Sequence, residues 1–102
     1  MDTNVTLIYD NPEDPAAFEA GYGEVLDLAR KLPGVTLVQG ARVWPKEDGS
    51  PTPAYRVLDL HFNDYAAASA AVATPEAGAF FGPATALATG GIRILFTELE
   101  DR

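Results

Sequence analysis

The 102-residue chain carries seven basic and fifteen acidic side chains, a formal charge of −8, and no cysteine. A chain of this length supports one domain and one core, so a sizeable pocket is more easily enclosed between two subunits than within one. The charge opposes binding to nucleic acid and to anionic membranes, and the lack of cysteine removes disulfides, thiolate nucleophiles and cysteine-based metal sites.

At 47% apolar and 22% charged residues the composition is that of an ordinary globular protein. No N-terminal apolar run is long enough to span a bilayer and no signal peptide is apparent, so a cytoplasmic protein with one domain over residues 1–102 is expected.

Residues 5–9, Val-Thr-Leu-Ile-Tyr, are β-branched or apolar on both faces and predict a central strand. Asp14-Pro15 pairs an N-cap with a proline suited to the first helical position. Phe18, Tyr22, Val25, Leu26, Ala29 and Leu32 then recur at helical spacing as one apolar stripe. Arg30 and Lys31 fit the last turn by the helix dipole, and Pro33-Gly34 ends the helix. A second strand is predicted over 35–44, interrupted by Gly40. The stretch from Pro45 to Pro53, with three prolines and Gly49, reads as a loop.

A third strand is predicted over 55–62. Asn63 and Asp64 are suitable caps for an alanine-rich helix over 65–73, and Thr74-Pro75-Glu76 restarts helix with a second cap-plus-proline signature. Gly82-Pro83 is expected to break or kink that segment. Gly90-Gly91 ends it, and residues 92–99 form a last strand before a frayed Glu100-Asp101-Arg102 tail. The order βαββαβ predicts an α+β fold of the ferredoxin-like, split βαβ kind: one four-stranded antiparallel sheet with the helices on one face.

Such a sheet leaves its other face without cover. On the third strand Leu58, Leu60 and Phe62 suit the helix side, and Tyr55, Val57, Asp59 and His61 share the other. The fourth strand divides into Ile92, Ile94, Phe96 against Arg93, Leu95, Thr97, and the second strand also leaves apolar groups on both faces. A face this mixed is too apolar for water and too polar for a dry core. A second copy stacked across it answers both, so a homodimer forming an α/β barrel is expected.

The segments Tyr9…Asp14-Pro15-Ala16-Ala17-Phe18-Glu19-Ala20-Gly21-Tyr22, Leu28-Ala29-Arg30-Lys31-Leu32-Pro33-Gly34, Tyr55 through Phe62, and Thr74-Pro75-Glu76…Ala88-Thr89-Gly90-Gly91 together resemble the EthD family, over nearly the whole chain. The resemblance implies membership of the dimeric α/β-barrel proteins, a superfamily that also holds cofactor-free monooxygenases, isomerases, cyclases and haem enzymes. Two departures stand out. Where many members carry a His-x-Pro-Leu-Ala segment in the first helix, this chain has Val25-Leu26-Asp27-Leu28-Ala29, with Leu26 nearest the histidine's place. Where the family often has an acidic residue before Thr-Gly-Gly, this chain has Pro83.

His61, the only histidine, and Asp59 lie two apart on one strand face, which suits a carboxylate orienting an imidazole for acid/base work. A solvated or interface histidine, and an ion pair from Asp59 to Arg42, Arg56 or Arg93, are the competing structural readings. Tyr22 keeps its place in the family pattern and would serve as an orienting donor or as core. Tyr9, Arg42, Trp44, Tyr55, Phe80 and Phe81 are candidates to line a ligand site, or ordinary packing residues. Neither serine has a triad context, and neither a metal nor another cofactor is expected. Three functional readings stay open. The chain is a dimeric protein binding a small, mostly apolar organic molecule between its sheets, with proton-transfer chemistry of lyase, cyclase or isomerase type if it is an enzyme; it is a non-catalytic accessory or sequestering protein; or it is a cofactor-free monooxygenase.

Overall fold

Asp14 begins the first helix because its carboxylate accepts from the free amides of Ala16 and Ala17, with Pro15 in the first turn. Asp64 caps through the Ala67 amide and Thr74 through the Ala77 amide in the same way. The computed structural model describes residues 2–100, so the expected fraying of Asp101 and Arg102 lies outside the described residues. Its elements run β1 (Thr3–Tyr9), α1 (Pro15–Ala29), β2 (Leu37–Arg42), β3 (Arg56–Phe62), α2 (Tyr65–Ala71), α3 (Pro75–Ala86) and β4 (Ile92–Glu98). The strands form one antiparallel sheet in the order β2-β3-β1-β4, the α+β ferredoxin-like arrangement. Among the described residues, no helix is long and apolar enough to cross a membrane.

Three sequence expectations are corrected. First, Gly82-Pro83 does not end α3, which continues through Pro83 to Ala86. Proline removes one amide and crowds the carbonyl four residues back. That residue, Ala79, is exposed, where water can take the lost bond. Thr85 Oγ1 donates to the carbonyls of Phe81 (2.7 Å) and Gly82 (3.1 Å), which supports the turn around the proline. Second, α1 closes at Ala29 with Arg30 as its C-cap, so Arg30 and Lys31 follow the last turn instead of filling it, and Arg30 pairs with Asp27 at 2.9 Å. Third, β2 is shorter than expected, because the chain leaves the sheet at Val43 on its way into the proline-rich loop.

One face of the sheet holds the core. Val5, Leu7 and Tyr9 of β1 and Leu58, Leu60 and Phe62 of β3 are buried beneath Phe18, Tyr22 and Val25 of α1 and Ala77, Phe80 and Ala84 of α3. Tyr9 is fully buried and its hydroxyl donates to the Ala84 carbonyl at 2.8 Å, fastening α3 to the central strand. Gly40 permits a close approach on the same side: the Tyr22 hydroxyl lies where a side chain on Gly40 would begin. Gly40→Ala should therefore cost about 1–3 kcal/mol in urea unfolding. In a Tyr22→Phe background the same change should cost less by about 1 kcal/mol or more, since the colliding oxygen is gone; equal costs in both backgrounds would show that the clash is not the cause.

Candidate functional site

The uncovered face of the sheet can be read directly from the register. Leu37, His61, Asn4 and Thr97 lie in one row across the strands; Gln39, Asp59, Thr6 and Leu95 in the next; Ala41, Val57, Ile8 and Arg93 in the third. Two rows are thus centred on polar groups and the third on Val57 and Ile8. Asp59 accepts a 2.6 Å hydrogen bond from Thr6 Oγ1, its cross-strand partner, rather than pairing with an arginine. His61 Nε2 and Asn4 Oδ1, on register partners, are buried and have no hydrogen-bond partner among the described residues. Leu37 and Leu95 are exposed on this face.

The structure therefore brings Asp59 and His61 together but separates them from Tyr22. Tyr22 projects from α1 onto the opposite face, so the sheet stands between it and the two acid/base candidates within one subunit. Tyr55 also changes side. It precedes β3 and so escapes the strand's alternation; its ring meets Phe18 edge-on at 5.0 Å, and its hydroxyl donates to Glu19 Oε2 at 2.5 Å. Tyr9 and Phe80 are fully buried core, and Phe81 packs edge-on against Phe80 at 4.8 Å. Arg42 and Trp44 are exposed at the end of β2.

The helix face has a polar end that gathers three of the candidate ligand-lining residues, Arg42, Trp44 and Tyr55, around the Arg56–Glu19 pair. Arg56, the first residue of β3, has the parity of Leu58 and Leu60 and is only 5% exposed. Its Nη2 donates to Glu19 Oε2 of α1 at 2.6 Å, and its guanidinium lies 4.4 Å from the Tyr22 ring centroid. A guanidinium buried this deeply needs both the carboxylate and the ring faces to offset lost hydration. Arg42 stands opposite Arg56 across the β2–β3 ladder and reaches Glu19 Oε1 only at 3.9 Å. Between these groups and the loop opens a cavity of about 260 Å³ whose lining includes Asn11, Arg42, Val43, Thr52, Tyr55 and Arg56. Asn11 and Thr52 hold the loop against the end of β1 through two hydrogen bonds, 3.0 and 2.9 Å long. An adjoining recess of about 480 Å³ shares Arg42 and Val43 and adds Trp44 and Pro45.

The Tyr55 hydroxyl holds the Glu19 carboxyl below its usual range; burial opposes it as the next largest effect, and the Arg56 and Arg42 cations lower it further. The same hydrogen bond, with burial, raises the Tyr55 phenol. Burial also raises Tyr22, against the opposing effect of the neighbouring Arg56 guanidinium. A carboxyl lowered in the folded state contributes stability that is present above its unfolded value, near 4.5, and is lost as the pH falls. The stability difference between wild type and Glu19→Gln should thus shrink as urea titrations are carried from neutral pH down through this range. A difference independent of pH would contradict the ionised pairing.

No family model matches the sequence. The chain is 34% identical over 97 residues to an uncharacterized 11.0 kDa protein of Rhodococcus erythropolis from the thcB-thcC intergenic region, covering 94% of this chain and 93% of that one. Among solved structures, an EthD family protein of Bacillus halodurans superposes with a TM-score of 0.88 at 24% identity, over 98% of this chain and 100% of the other. A dimeric ferredoxin-like protein of Jannaschia gives 0.69 at 21% identity, over 97% and 100% of the two chains. SnoaB of Streptomyces nogalater, a cofactor-independent oxygenase, gives 0.65 at 20%, over 99% and 94%. These structural likenesses establish the fold.

Proposed function

The chain belongs to one family with the Rhodococcus erythropolis protein and has the EthD-like fold; from that premise we propose that it acts in the cytoplasm as a homodimer joined through the uncovered faces of its two sheets, holding a small, mostly apolar organic molecule between them. The observation that carries this reading is the face itself. Ile8, Leu37, Ala41, Val57 and Leu95 supply apolar surface on a sheet with no helix over it. A second sheet stacked about 10 Å away buries that surface and gives it the geometry of a two-sheet core. The Jannaschia protein of like fold is dimeric, which supports a homodimer.

The polar rows give the enclosed space its chemistry. His61 and Asp59 sit two residues apart on one face, roughly 7 Å along the strand, so a ligand lying across them meets both an imidazole and a carboxylate. In this reading one takes a proton from the substrate and the other returns a proton at a second substrate atom or to a leaving group, the proton transfer that isomerase, cyclase and lyase reactions share. Tyr22, on the far side of the sheet, has no part in that step within its own subunit. Sequestration without turnover is the second reading. It is favoured by the Thr6 hydrogen bond that already engages Asp59, and by Leu26, which packs against the core where the family's histidine would lie.

In sedimentation velocity the wild type should run at twice the chain mass, and Val57→Glu, which places a charge at the centre of the stacked faces, should run as a monomer with its circular dichroism unchanged. A wild type that stays monomeric at about 100 μM, a concentration at which even a weak specific dimer forms, would rule the dimer out. Apolar fragments found by saturation-transfer NMR should bind the wild type and lose their signal with His61→Ala. Fragments that bind both equally would remove His61 from the site.

A further inference from the structure

We propose that the mouth formed by α1, the facing ends of β2 and β3 and the 43–55 loop is a second site, within each protomer, that binds the carboxylate of a small organic acid with an apolar, aromatic-sized body. Arg42 and Arg56 are register partners, and like charges directly opposite on a sheet repel. One carboxylate, Glu19, serves both, and serves them unequally: Oε2 takes Arg56 at 2.6 Å and Tyr55 at 2.5 Å, while Oε1 reaches Arg42 only at 3.9 Å. The cluster therefore keeps one uncompensated positive charge, on a chain whose net charge is −8. Both arginines line the 260 Å³ cavity, so an anion entering it meets both.

An unmatched donor lies in the same place. Arg56 Nε is buried and has no hydrogen-bond partner among the described residues. A buried donor left without an acceptor is costly, and a carboxylate at the Arg42–Arg56 pair brings acceptor oxygens to this cluster. A planar guanidinium binds a carboxylate through paired, parallel hydrogen bonds. Arg42, with its side chain 80% exposed, is free to turn and make them. A single excess positive charge matches a monoanion better than a phosphate dianion.

The body of the ligand is indicated by the neighbouring recess. Trp44, 87% exposed, with Val43 and Pro45, forms apolar walls around about 480 Å³ that open beside Arg42. An exposed tryptophan beside an arginine-lined cavity suits a ligand whose charged end lies on the arginines and whose ring lies on the indole. This site and the enclosed face of the sheet lie on opposite sides of β3, so neither proposal depends on the other.

Isothermal titration with 4-phenylbutyrate tests the assignment, with emission from Trp44, the only tryptophan, as a local reporter. The acid should bind saturably with a Kd below about 10 mM and change that emission, while its neutral amide binds at least about tenfold more weakly. Arg42→Gln, at an exposed position, should weaken the acid by about tenfold or more without lowering the unfolding midpoint. Val57→Glu should leave binding unchanged, because the site is complete in one protomer. Equal binding of acid and amide, displacement by equimolar inorganic phosphate, no saturation up to about 10 mM, or loss of binding in Val57→Glu would each overturn the proposal.

Discussion

The strict two-residue alternation of β3 is the constraint on which the rest of the protein depends. Arg56, Leu58, Leu60 and Phe62 are buried on one side, and Val57, Asp59 and His61 are half-buried on the other. β3 lies between β2 and β1, so its register sets which side chains of both neighbours share each face. A slip of one residue would send Leu58 and Leu60 to the uncovered side and Asp59 into the core beneath the helices. Such a slip is resisted by the apolar burial of Leu58, Leu60 and Phe62 and by the desolvation of Asp59 that it would demand.

The same division separates the chemistry into two compartments. The uncovered face carries the histidine and a carboxylate in polar rows, next to an apolar row centred on Val57 and Ile8. The helix face ends in the Arg56–Glu19 pair, where α1 closes over the sheet and the proline-rich loop is tied back by Asn11 and Thr52. A side chain's parity, more than its type, decides which compartment it serves. Tyr22 and His61 both suit proton chemistry by type, yet they stand on opposite sides of the sheet.

Much of this was legible in the sequence. Asp14-Pro15 and Thr74-Pro75 announced two helix starts, because a capping oxygen and a proline each meet a specific need of the first turn. The alternation of β3 announced the division of Leu58, Leu60 and Phe62 from Val57, Asp59 and His61. What was misread follows from two local effects. Parity places Tyr55 on the uncovered face, but the strand begins one residue later and the Tyr55 ring turns to Phe18. Gly82-Pro83 reads as a break or kink, but α3 runs on through Pro83, and the residue four back, Ala79, is exposed, which makes the interior position tolerable. The Arg56–Glu19 pair was missed although a signal was present: Arg56 shares parity with the buried leucines, so a partner charge had to lie on the helix above it. Nothing in the sequence placed Glu19 there, because the contact spans 37 residues.

The central claim is that the uncovered face of this sheet meets the same face of a second copy. Isotope-filtered NMR on a mixture of differently labelled protomers tests it most directly. Intermolecular nuclear Overhauser effects are expected among the methyl groups of Ile8, Val57 and Leu95. Intermolecular contacts confined to the helices, or none at all at the concentrations used for structure determination, would contradict it.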